Sequence, residues 1–104
     1  MAPKPGDIHR RPRHDSRAVH LWIWIKGRKR PWSVPFAASA TAISERRARE
    51  IIAALHRLGI VKRVRPARGT SHPAEFMIRR VVPGAPILTI GRGQRVAGVR
   101  FTKA

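Results

Sequence analysis

The chain has 104 residues, with 23 lysines and arginines against 5 carboxylates and a formal net charge of +18. One small domain with a modest core is expected, together with an anionic partner, because so unbalanced a charge repels itself in a compact fold. The absence of cysteine excludes disulfides and thiolate metal sites, and no run approaches the roughly 18 apolar residues that cross a bilayer.

Residues 1–14 hold three prolines and the basic residues Lys4, Arg10, Arg11 and Arg13, with Ile8 as the one large apolar side chain beyond Met1. That composition predicts a flexible basic arm, either solvated or laid along phosphates or in a minor groove. It also lacks the apolar core of a secretory signal. A reducing cytoplasm fits these features, with the chain held at the nucleoid.

In 16–29, SRAVHLWIWIKGRK, the run Leu21–Ile25 is β-prone. Ala18, Leu21, Trp22 and Ile25 nevertheless fall on one helical stripe, and helix is the favoured reading. Asp15 or Ser16 serves as N-cap, and Lys26, Arg28 and Lys29 suit the C-terminal dipole. Trp22, Trp24 and Trp32 are read as core more readily than as base-stacking platforms, with Trp24 off the stripe. RPWSVP, 30–35, punctuates the chain around a very short strand at Trp32 to Val34. FAASATA, 36–42, suits a short helix.

Ser44 and Glu45 open the next helix as cap and first-turn carboxylate, and Gly59 ends it, giving a span of about 45–58. Ala48, Ile51, Ile52 and Leu55 form its inward face, with Leu58 three residues further on. IVKRVR, 60–65, and AEFMIRR, 74–80, read as strands joined by the turn-rich PARGTSHP, a hairpin with a basic tip. Ile60, Val64, Phe76 and Ile78 are its candidate core residues. ILTIGRGQRVAGVRF, 87–101, reads as two short strands about a Gly-rich turn, with Val96, Val99 and Phe101 available to pack on the hairpin.

Chemistry of the catalytic kind is poorly supplied. The carboxylates Asp7, Asp15, Glu45, Glu50 and Glu75 and five histidines are scattered, with no metal-ligand spacing. GRGQR at 91–95 lacks the spacing and the Lys-Ser/Thr of a phosphate loop. No enzyme, cofactor or metal is expected.

The segment AISERRAREIIAALHRLGIVKR resembles the recognition-helix region of winged helix-turn-helix domains. A capping Ser44 is followed by Ala48, Ile52 and Leu55, then by Gly59, Ile60 and Val61. The resemblance covers residues 16–80 and implies an α+β fold of three helices plus a β-hairpin wing. A 1–14 arm precedes this 15–80 domain, and a short C-terminal β extension, 81–104, follows it. The family often places Gly in the turn before the recognition helix; Ala42 stands near there.

By the resemblance, Glu45, Arg46, Arg47, Arg49, Glu50 and Ala53 face the DNA major groove. Arg46 and Arg49 are its best base readers, since arginine takes guanine O6 and N7 together. Ser44, Arg57, Arg63, Arg65, Arg68 and Thr70 are candidate backbone or wing contacts, and Lys26, Arg28 and Lys29 can also reach phosphates. The bland alternative is a solvated charged helix face and a hairpin that only completes the core.

The expected partner is double-stranded DNA, and the expected role is a small sequence-specific transcriptional regulator or repressor. Homodimerisation would multiply specificity, but no sequence feature shows it. The 81–104 segment offers Arg92, Arg95, Arg100 and Lys103 for further grip on DNA, for strand-paired dimerisation or for a protein partner. Two other readings are an RNA-binding nucleoprotein component and a mobile-element-encoded inhibitor that docks on a nucleic-acid enzyme. A membrane-surface role is disfavoured, because the helix needs its apolar face for the core.

Overall fold

The computed structural model describes residues 11–69 and 71–102, with side chains from residue 15 onward. It is a small α+β domain of three helices and two antiparallel sheets.

Helix α1, Ser16–Gly27, starts where Asp15 accepts a hydrogen bond from the Arg17 backbone N–H at 2.9 Å. Its buried residues are the stripe Ala18, Leu21, Trp22 and Ile25, so helical periodicity outweighs the β propensity of the LWIWI run. After the two-residue strand β2, Trp32–Ser33, helix α2 spans Val34–Thr41. It begins two residues before the expected 36, because the Ser33 hydroxyl caps the Phe36 N–H at 3.3 Å. Pro35 sits in the first turn, where its missing N–H leaves no bond unmade.

Ala42 ends α2 in the left-handed region, at φ 57° and ψ 36°, and the Ile43 N–H returns to the Ala38 carbonyl at 3.0 Å. A left-handed alanine is strained by roughly 1–2 kcal/mol. Ala42→Gly is therefore expected to raise stability by about 0.5–1 kcal/mol, read as an upward shift in the urea midpoint at constant slope. An unchanged or lowered midpoint would show that the backbone here is not under strain.

Helix α3, Glu45–Arg57, is capped by Ser44, whose hydroxyl accepts the Arg47 N–H at 3.1 Å. Ala48, Ile51, Ile52, Ala54 and Leu55 are buried. Leu58, expected to extend that stripe, is 44% exposed as the C-cap residue, and Gly59 follows in left-handed conformation at φ 74°.

Strands β3, Val61–Arg65, and β4, Glu75–Ile78, form the expected hairpin, and β2 joins the far side of β4, so the sheet order is β2-β4-β3. Ile60, Val61 and Phe76 are buried and Ile78 packs against the core. Val64 does not: it is 36% exposed, in a strand whose register shifts between Arg63 and Arg65.

Strands β5, Pro86–Ile90, and β6, Val96–Phe101, pair about a 3₁₀ turn at Arg92–Gln94. The ends of this hairpin are tied at Thr102. Its N–H donates to the Ala85 carbonyl at 2.9 Å, and its hydroxyl accepts the Ala85 N–H at 2.9 Å. Gly84 lies so close to the Thr102 carbonyl that a Cβ there would overlap it.

The structure corrects two expectations about the ends of the chain. The part of the 1–14 arm that is described, Arg11–His14, is strand β1, paired antiparallel with β5, so the second sheet runs β1-β5-β6. An exposed β5 edge with unpaired backbone groups supplies what a basic, Pro-containing segment lacks in apolar surface. Residues 1–10, including Lys4 and Arg10, lie outside the described residues.

The described part of the 81–104 extension, residues 81–102, is packed into the domain. Leu88, Ile90, Val96 and Val99 belong to one hydrophobic cluster with α1, α2 and α3, and the Phe101 ring meets Trp22 edge-on at 5.0 Å. The hairpin closes the core over α1 and α3, which are its principal packing partners apart from β1.

Candidate nucleic-acid interface

The register of α3 divides its charged side chains between two environments. Glu45, Arg46, Arg49, Ala53, His56 and Arg57 form its exposed arc. Arg49 and Glu45 are paired across one turn, with Nη2 donating to Oε1 at 2.9 Å. An exposed pair of this kind adds little stability, but it fixes the direction in which the guanidinium points.

Two of the six expected groove residues are turned elsewhere. Glu50 has a side chain only 16% exposed and accepts the Val96 N–H of β6 at 2.9 Å. Arg47 is 25% exposed, and its Nη1 stands 3.8 Å from Glu50 Oε1, an ionic approach without hydrogen-bond alignment. Both face the β5–β6 hairpin, which covers that side of the helix. Arg46 remains 70% exposed, but its Nε is held 3.3 Å from Glu50 Oε2. Arg57 also leans this way, with Nη2 at 3.5 Å from the Ala97 carbonyl.

The opposite flank of the arc meets the β3–β4 hairpin. The His56 ring packs edge-on to Phe76 at 6.0 Å, and the Arg63 guanidinium lies 6.0 Å from the centre of the same ring. Phe76, itself buried, thus lies between His56 of α3 and Arg63 of β3 and brings the open face of the helix beside the basic hairpin. His56 was missed in reading the sequence, although it continues the spacing of Glu45, Arg49 and Ala53 along the helix.

Residues 62–69 of the hairpin are exposed, so Lys62, Arg63, Arg65 and Arg68 all reach solvent. Arg65 Nη1 is 3.2 Å from Glu75 Oε1, again an ion pair without hydrogen-bond alignment, which neutralises part of this arginine's charge. Near the tip, Arg68 and His72 form a β-bridge. Thr70 lies outside the described residues.

The remaining candidates separate by packing. Lys26 and Lys29 are exposed at the end of α1, Lys26 with its Nζ 5.7 Å from the Trp22 ring centre. Arg28, expected to reach phosphates, is half-buried, its guanidinium 4.9 Å from the Trp24 ring and 5.2 Å from Phe36. Trp22 and Trp32 are buried core residues, and Trp24 is covered by Arg28, so none of the three offers a free ring face for base stacking. Arg11 and Arg13 lie in β1, where only the backbone is described.

Among the described residues no group of three or more histidines, aspartates and glutamates gathers, and no helix is long and apolar enough to cross a membrane. No protein-family model, curated protein or solved structure matches the chain.

Proposed function

We propose that this chain is a sequence-specific double-stranded DNA-binding protein with a winged helix-turn-helix architecture, acting as a small transcriptional regulator by occupying an operator. The order helix, short strand, helix, helix, hairpin, with β2 beside β4, supports that architecture. So does the left-handed turn at Ala42 between α2 and α3.

The observation that carries the reading is the arrangement about Phe76, where an exposed arginine-bearing helix face lies beside an exposed basic hairpin. A helix fits the major groove, and basic side chains beside it take the phosphates that set its register. In this arrangement Arg49 reads a base, with Glu45 aiming it. Ala53 permits close approach, and His56 extends the contact towards the hairpin. Arg63, Arg65 and Arg68 hold the backbone, and Arg46 sits at the edge of the groove.

The test is selection from a random duplex pool at about 150 mM salt, which suppresses sequence-blind electrostatic binding. A short enriched consensus is the expected result, and a palindrome would report dimeric binding through its half-site spacing. Tight binding with no enriched sequence would overturn the regulator reading.

A further inference from the structure

The arginines at the β5–β6 turn take no part in the surface just described, yet they converge with one residue of α3. Arg46, Arg92 and Arg95 line one open surface recess with Gly91, Gly93 and Ala97. The turn is tight: the Gly91 N–H donates to the Arg95 carbonyl at 2.7 Å, and the Arg95 N–H lies 3.4 Å from the Arg92 carbonyl. Gly93 and Gln94 both take left-handed conformations, at φ 69° and 62°. Two consecutive residues of this kind reverse the chain sharply enough to put Arg92 and Arg95 on the same recess.

Glu50 positions the Arg46 side of the recess from outside it. One oxygen accepts the Val96 N–H and docks the hairpin on α3, while the second holds Arg46 at 3.3 Å. A single carboxylate therefore fixes Arg46 relative to the turn. It does not enter this recess, which has no acidic lining residue. Arg92 and Arg95 are exposed, and among the described residues no carboxylate stands within ion-pair distance of either. With Arg46 paired to Glu50 but Arg92 and Arg95 without a carboxylate partner among the described residues, the recess keeps a net positive lining, and its two glycines leave room for a tetrahedral anion.

We infer that Arg46, Arg92 and Arg95 bind one phosphate diester of the duplex backbone, on the flank of α3 opposite the β3–β4 hairpin. This rests on the duplex-binding reading above. The recess adjoins the N-terminal end of the open face of α3, so a strand bordering the occupied groove passes over it. The duplex is then gripped on both sides of the helix, by Arg63 and Arg65 on one strand and by the 91–95 turn on the other.

The experiment compares the full chain with R92Q/R95Q and, as a separate control, R63Q/R65Q, by the salt dependence of duplex binding. Each lost phosphate contact reduces the slope of log K against log salt by about 0.9, a roughly 3- to 4-fold smaller loss of affinity between 50 and 200 mM salt. R92Q/R95Q is expected to lower the slope by about one contact and leave the preferred sequence unchanged, while R92K/R95K retains the slope. An unchanged slope in R92Q/R95Q, with R63Q/R65Q reducing it, overturns the site and leaves the functional reading intact.

If the unmodified chain binds no duplex, the functional reading has failed and the duplex assignment of the recess with it. Titration with inorganic phosphate then judges the recess itself, followed through the arginine Nε–H resonances. Shifts confined to Arg46, Arg92 and Arg95 uphold it as a phosphate site; equal shifts on all arginines overturn it.

Discussion

Arg49→Ala is expected to lower affinity for the selected sequence by roughly tenfold or more while relaxing preference at one base position. The reason is geometric. Arg49 is the one arginine of α3 that is both on the open arc and aimed by a partner on that same arc, Glu45 at 2.9 Å. A bidentate arginine–guanine contact is worth about 1–3 kcal/mol of discrimination. Arg49→Lys keeps the charge but not the planar fork, so it should retain sequence-blind binding and lose the base preference. Competition binding against duplexes mutated one position at a time checks both. Equal loss on every duplex would make Arg49 a phosphate contact and remove it as a reader.

Leu88→Ala should destabilise the whole domain by about 2–5 kcal/mol, the range for emptying a buried leucine site. Leu88 is 0% exposed and shares its cluster with residues of all three helices. If 81–104 were an independent extension, the loss would be confined to it, and the remaining domain would melt as before. The packed arrangement predicts instead a single transition in tryptophan fluorescence and circular dichroism, moved together to lower denaturant. Separate transitions by the two probes would show that the second sheet unfolds on its own.

What could be read in the residues was what short-range physics decides. The apolar stripes of α1 and α3, the caps at Asp15 and Ser44 and the stop at Gly59 are local, and the elements lie within a few residues of their expected bounds. The misreadings share a different cause. Arg11–His14 pairs with a strand near the other end of the chain, and nothing in RPRH announces that partner. Glu50 and Arg47 lie on the polar side of α3 by periodicity, yet a hairpin more than forty positions later covers that side. Arg28 reads as a solvated charge until the fold brings the neighbouring Trp24 and Phe36 rings against it. Arg47, Glu50 and Arg28 were thus placed by packing, where a charged residue's type does not tell whether it meets solvent or protein.

The pairing of β1 with β5 also has a bearing on how the molecule assembles. Arg11 meets Ile90 and His14 meets Ile87, so the earliest described strand must wait for a partner more than seventy positions later. The helices and the β2-β4-β3 sheet between them close through much shorter loops and are free to form first. During synthesis Arg11–His14 cannot pair with β5 until Ile87–Ile90 has left the ribosome. Of the strand pairs described, β1 with β5 spans the greatest separation along the chain, so it carries the largest loop-closure cost of the fold.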